Sequence, residues 1–267
     1  MIAVIRLASQ LVSNGLATAA QYRVAMAFWS LSGMLQVVVF LSVWSAVANA
    51  HGGSVAGYDA GQFAGYFIVL LVVREMTYTW TPWVFADEVK TGNISSKLMI
   101  PLHPVWRYVT DTVVFKLQSV LVVIPAVIAL ALVFHPVLHV TVSAVATFVP
   151  LILLAAATRF AADWTLAQAA FWLTRLDGIR NTYYIVMLFL GGQFAPIGVL
   201  PEPMRIVAKA LPFYWALGFP VELILGRTNA SQLGTAVVVL SGWLIVLTLA
   251  SRALWARGIR AHGSVGL

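Results

Sequence analysis

A succession of long apolar runs limits this fold more than any other feature. Residues 113–134 (VVFKLQSVLVVIPAVIALALVF) are apolar on every face, and comparable runs recur along the 267 residues. About 20 such residues span the ~30 Å hydrocarbon core of a bilayer at ~1.5 Å per helical residue. Lipid offers no partner to a backbone polar group, so a spanning segment is a helix or part of a closed barrel. Barrel strands alternate apolar and polar residues, and these runs do not. Only 9% of the chain is charged, against about 25% in soluble domains. The expected fold is all-α: one polytopic membrane domain over residues 1–267.

Six transmembrane helices are read from the pattern. They lie at roughly Val24–Ala48, Gly61–Trp83, Val113–Phe134, a fourth beginning near Val140, Thr182–Val199 and Gln232–Leu254. The fourth continues past Thr158 through Arg159, Asp163 and Gln168 to Phe171-Trp172, as one long helix tilted or broken near Arg159. Over residues 1–23, Ile2, Ile5, Ala8, Leu11, Val12 and Leu16 share one face opposite Arg6, Gln10 and Ser13. That pattern predicts an amphipathic interfacial helix. Gln10, Ser13 and Asn14 interrupt any apolar core, so no signal peptide is expected there. Between spans five and six, Pro201, Pro203, Pro212 and Pro220 divide residues 200–230 into short re-entrant helices on the outer side, a candidate lid.

The net charge of +7 is distributed by topology and is no sign of nucleic-acid binding. Lys and Arg accumulate in cytoplasmic loops. Eleven cations, Lys116 among them, fall on the side of the termini, against Arg205, Lys209 and Arg227 opposite. Both termini are therefore expected in the cytoplasm, with the chain in a bacterial-style inner membrane. The absence of cysteine excludes disulfides and thiolate chemistry. His135 and His139 have a ligand-like spacing, but Pro136 opposes a regular helix there and no carboxylate is near. No metal is expected.

The polar stretch 86–112 (ADEVKTGNISSKLMIPLHPVWRYVTDT) separates two spans. Asp87, Glu88, Lys90, Thr91, Gly92 and Asn93 form a solvated turn, and Ile94, Leu98 and Ile100 precede the helix stop at Pro101. A short helix with a few apolar anchors suits a groove on another protein; an ordinary solvated connection is the plainer alternative.

The spacing Glu88, Gly92, Ile94, Leu98, Pro101 resembles the intracellular loop of ABC-2 type exporter permeases. Phe171-Trp172, Gly191-Gly192, Pro196, Leu200-Pro201, Leu211-Pro212-Phe213, Pro220 and Gly226-Arg227 follow in the order of that family, so the resemblance covers essentially the whole chain. It implies a permease subunit paired with a second permease, identical or different, and with cytoplasmic ATP-binding cassette ATPases. It also implies that Glu88, Thr91, Gly92, Ile94 and Leu98 belong to the coupling helix that receives the ATPase stroke. ATP and Mg would sit on that partner, because this chain lacks G-x-x-x-x-G-K-[ST] and has nothing to cradle phosphates. No cofactor is expected on the chain itself, and it is not expected to be an enzyme. The cargo would be a hydrophobic or amphipathic compound moved outward. Arg159 matches no motif of the family.

Charges inside the spans are the remaining candidates. Arg74, Glu75, Arg159 and Asp163 fall within predicted helices, and Glu222 within the outer segment. An unpaired charge at mid-span costs about 2.5–3.5 kcal/mol, so each should pair or face water. The four-residue spacing of Arg159 and Asp163 allows a pair on one face. These five residues are candidates for a path or gate; alternatively Arg159 and Asp163 are a structural lock, and Glu222 a solvated helix end. Arg74/Glu75 and Arg159/Asp163 would also suit an ion-coupled secondary transporter, although the two halves show no convincing repeat. Gly57, Gly61 and Gly65 make G-x-x-x-G steps, which serve close helix packing either within the fold or between permeases.

Overall fold

The computed structural model describes residues 23–138 and 140–263, with side chains for 35–138 and 140–261. The interfacial helix expected over 1–23 lies, but for Arg23, outside the described residues, as does His139.

Helix α1 (Arg23–Ala50) leads into a small hairpin, β1 (Ser54–Val55) against β2 (Tyr58–Asp59). Ala56 and Gly57 both hold positive φ, 50° and 75°, as a two-residue hairpin turn requires. Among the described residues this ribbon is the one departure from all-α architecture. Asp59 then caps α2 (Ala60–Thr77): its Oδ1 accepts from the Gln62 amide at 2.8 Å, and Gln62 Oε1 accepts from the Asp59 amide at 3.2 Å.

Beyond α2 come α3 (Thr81–Lys90), α4 (Ile94–Leu98), α5 (Val105–Phe134) and α6 (Val142–Ala167), which tightens into a 3-10 turn at Gln168–Phe171. Next are α7 (Asp177–Leu190), the short α8 (Glu202–Ala210), α9 (Pro212–Ala216) and α10 (Gly218–Ile224), and finally α11 (Ala230–Gly263). Helix α2 is the centre of the bundle, packed on α1, α5, α6 and α10. Phe63, Tyr66, Phe67, Leu70 and Leu71 are all buried.

Three segments, Val105–Phe134, Val142–Phe171 and Ala230–Ala261, are long and apolar enough to cross a membrane, and Leu35–Ala50 adds a shorter apolar stretch in α1. Apolar side chains on α5 and α11 face outward, with Leu121 76% and Val238 71% exposed. Exposure on that scale suits lipid and not water. The chain is a multi-pass membrane protein.

Several expected spans differ in form. The fourth is one uninterrupted helix through Arg159, with no break there. The third begins at Val105, eight residues before the expected Val113. Span five was expected over Thr182–Val199, but α7 has 14 residues and stops at Gly191, only ~21 Å of helix. Gly192 sits at φ +78°, and a Cβ there would lie 2.5 Å from the Tyr66 hydroxyl. That hydroxyl donates to the Gly192 carbonyl at 2.9 Å. The chain turns back here, and α9 and α10 fill the space beside α6. Their buried residues, Trp215, Leu217 and Phe219 among them, make them part of the core and not a flap over it.

The glycine steps serve the internal fold. Cβ atoms on Gly61 and Gly65 would lie 2.8 Å from the Val137 Cγ2 and carbonyl oxygen, and Gly61 accepts from the Val137 amide at 3.0 Å. The α5–α6 connection is thereby pressed onto the start of α2.

Candidate functional site

Proline determines the shape of the site. Pro82 has no amide proton, and its ring clashes with the carbonyl four residues earlier, so α2 cannot continue past Thr77. Tyr78 turns extended (φ −65°, ψ 146°), and α3 starts afresh at Thr81. A broken helix leaves carbonyls without intrahelical donors, which is costly in a bilayer. Lys116 of α5 supplies the missing donor: its Nζ donates to the Tyr78 carbonyl at 2.7 Å and the Glu75 carbonyl at 3.2 Å. Lys116, one of the cations on the side of the termini, reaches back into the fold as a helix C-cap. Thr79 completes the joint, its hydroxyl accepting from the Thr81 amide at 3.1 Å.

The break opens a cavity of about 910 Å³. Arg74, Glu75 and Arg159 line it, with Tyr78, Trp83 and Tyr184 as its aromatic wall. Arg74 donates to Gln36 Oε1 at 3.0 Å. Arg159, 5% exposed, donates to Thr77 Oγ1 at 2.9 Å and lies over the Tyr78 ring, 5.7 Å from its centroid. Trp83 and Tyr184 stack at 5.0 Å, and Arg180 covers the Trp83 ring at 4.6 Å.

Arg159 and Asp163 share a helical face, yet no ion pair joins them among the described residues. Arg159 is drawn to the α2 terminus. Asp163 is fully buried, with the Tyr183 hydroxyl as the donor beside it and no ion-pair partner among the described residues. The Arg159 Nε and the Tyr184 hydroxyl are buried without a hydrogen-bond partner among the described residues. Glu222 lies apart from the cavity. It is no solvated helix end, since it accepts from the Tyr214 hydroxyl at 2.7 Å. Nearby, Arg227 caps the Tyr58 ring at 3.8 Å and donates to the Gly57 carbonyl at 3.0 Å.

The polar stretch forms a compact elbow on the far side of the break. Glu88 accepts from both Lys97 Nζ and the Tyr108 hydroxyl, tying α3, α4 and α5 together. Lys97 also covers the Tyr108 ring at 4.6 Å. Ile94, fully buried, belongs to an aromatic cluster with Phe85, Tyr108 and Trp164, and Leu98 packs at its edge. Phe85 meets Trp164 at 5.1 Å, and Trp164 meets Trp255 of α11 at 5.4 Å. His103 lies 4.7 Å from Trp255, and burial there lowers its imidazole below the ordinary histidine range. Ile94 and Leu98, read from sequence as anchors for a partner, are thus anchors to this chain. The outward surface is Thr91, Gly92 and Asn93, with Met99 83% exposed beyond them. Gly92, at φ +79°, forms the tip.

Of the residues singled out by sequence, Arg74, Glu75 and Arg159 meet at one cavity, Asp163 stands one turn behind, and Glu222 is elsewhere. Sequence reasoning missed Lys116, Tyr78, Trp83 and Tyr184. The signal for the first two was Pro82, a helix breaker inside the expected second span.

A multi-pass helical protein with a charged cavity beside a braced polar elbow has the build of a membrane transport component. The sequence matches the family described as ABC-2 family transporter protein over residues 25–266, and the chain belongs to that family. Its members generally work with an ATP-binding cassette subunit. No curated protein sequence matches the chain.

Proposed function

We propose that the chain is the permease subunit of an ABC-2 type exporter of the cytoplasmic membrane, with both termini in the cytoplasm. It moves a hydrophobic or amphipathic compound outward, powered by ATP hydrolysed on a separate subunit, and works beside a second permease. Coupling to the ATPase runs through the elbow at Glu88–Leu98. The observation that carries this reading is mechanical. Phe85 and Ile94 lock the elbow onto Trp164, and the same helix α6 carries Arg159 into the cavity wall five residues earlier. A push on Thr91–Asn93 is therefore delivered to the cavity through rigid packing. Met99 and the Thr91–Asn93 tip offer the exposed surface for docking.

Purification of the tagged permease from its native membrane, beside an Asn93→Arg, Met99→Asp double variant, tests the reading. Both positions are exposed, so the variant keeps its fold. An ATPase subunit bearing the G-x-x-x-x-G-K-[ST] motif is expected with the wild type, and at least tenfold less with the variant. Wild type that elutes as an intact permease with no such ATPase would sink the proposal.

A further inference from the structure

The cavity wall carries enough chemistry to define the class of molecule it holds. Its charged lining is Arg74, Arg159 and Glu75, a formal excess of one positive charge. Lys116 stands immediately behind, held on the Glu75 and Tyr78 carbonyls. Two lining side chains keep a polar atom without a hydrogen-bond partner among the described residues: the Arg159 Nε, a donor, and the Tyr184 hydroxyl, a donor or an acceptor. Two of the aromatic faces that would suit a cationic ligand are already covered, Trp83 by Arg180 and Tyr78 by Arg159. Asp163, behind the wall, offsets Lys116 in charge, and neither Arg74 nor Arg159 forms an ion pair among the described residues, so both guanidinium groups remain open to an anion. Away from the guanidinium groups the wall turns apolar, at Ile185 and Leu188. A volume of about 910 Å³ suits a drug-sized or single-chain molecule.

We infer that the cavity binds an anionic amphiphile, its phosphate or carboxylate head set between Arg74 and Arg159 and its apolar body against Trp83 and Tyr184. This deepens the permease reading and rests on it, since the bound molecule is then cargo. An anion here gains charge-assisted hydrogen bonds in a low-dielectric site, where they are strongest. Glu75 opposes it, and so limits affinity to a level from which cargo can still leave.

The test is equilibrium binding of tritiated lysophosphatidic acid to the detergent-solubilised full chain. The unlabelled competitors are oleate, lysophosphatidylcholine and inorganic phosphate. Oleate and lysophosphatidic acid are expected to compete at similar concentrations, with lysophosphatidylcholine at least about tenfold weaker and phosphate alone weaker still. Arg74→Gln should weaken binding about tenfold or more. Glu75→Gln should tighten it about threefold or more, a gain that misfolding cannot produce. Equal competition by the zwitterionic lipid overturns the inference, as does Glu75→Gln leaving affinity unchanged or weaker. Competition by inorganic phosphate at the level of the lipids would show a bare anion site and overturn the amphiphile. Because no ATPase takes part, failure here leaves the co-purification result standing, and failure there leaves this one.

Discussion

The elbow and the cavity use the same residue types to opposite ends. At the elbow, Glu88 accepts from Lys97 and Tyr108 and the aromatic cluster closes around it. At the cavity, Arg159 and Asp163 sit four residues apart without an ion pair, and the Tyr183 hydroxyl is the one donor beside Asp163. A charge fully matched within the chain is a brace. A charge left short of partners in a low-dielectric interior is unstable by itself and gains by meeting a ligand or by moving. Stability and function are thus divided between two neighbouring turns of one helix, α6, with Trp164 on the first and Arg159 on the second.

The contrast is broken most severely at its joint. Lys116→Met strips the donor from the Glu75 and Tyr78 carbonyls and should cost about 3 kcal/mol, read as a lower melting temperature of the purified protein in detergent. An unchanged melting temperature would mean that the break in α2 needs no cap. Next in size, Glu88→Ala leaves Lys97 and Tyr108 unmatched. A loss of about 2 kcal/mol should speed tryptic cleavage at Lys90 and Lys97 about thirtyfold. If cleavage were no faster, Glu88 would not be a brace. Asp163→Asn sharpens the comparison because its sign is reversed: removing a buried carboxylate that has no ion-pair partner, while keeping an acceptor for the Tyr183 hydroxyl, should stabilise the protein by about 1 kcal/mol. A fall in melting temperature would show that the carboxylate is compensated after all. The smallest effect is at His103. Its folded-state pKa is lowered, so on acidification the unfolded chain takes up the proton first, and stability falls as pH drops through the ordinary histidine value near 6.5. His103→Gln should flatten the pH dependence of melting between pH 7.5 and 5.5, and an equally steep profile would remove His103 from the account.

Much of this was legible in advance. Apolar runs announced α5, α6 and α11, because a helix that must satisfy its own backbone in lipid leaves an unbroken signature. The prolines of residues 200–230 marked the starts of α8 and α9; Pro82 carried the same signal, yet the second span was expected to run through it to Trp83. Positions were less legible than kinds. Ile94 and Leu98 had the spacing of partner anchors, yet nothing in the spacing says whether the groove belongs to another protein or to Phe85 and Trp164 of this one. Lys116 looked like one of many cytoplasmic cations. A four-methylene stem lets its ammonium group reach back to a helix end far away in sequence, and local pattern carries no trace of that.

By itself the sequence determined that the chain is helical, crosses the membrane several times, carries no G-x-x-x-x-G-K-[ST] loop, and is divided by prolines over residues 200–230. Those properties follow from local chemistry: solvation of the peptide group, the missing proline amide, and the absence of a phosphate-binding loop. Only the tertiary structure decided that Arg159 turns to Thr77 and not to Asp163, that the glycine steps press on Val137, and that α9 and α10 belong to the core. Each of these is a choice among partners that the sequence equally permits. Packing makes the choice, because a buried polar atom gains most from whichever donor or acceptor the folded backbone brings within ~3 Å.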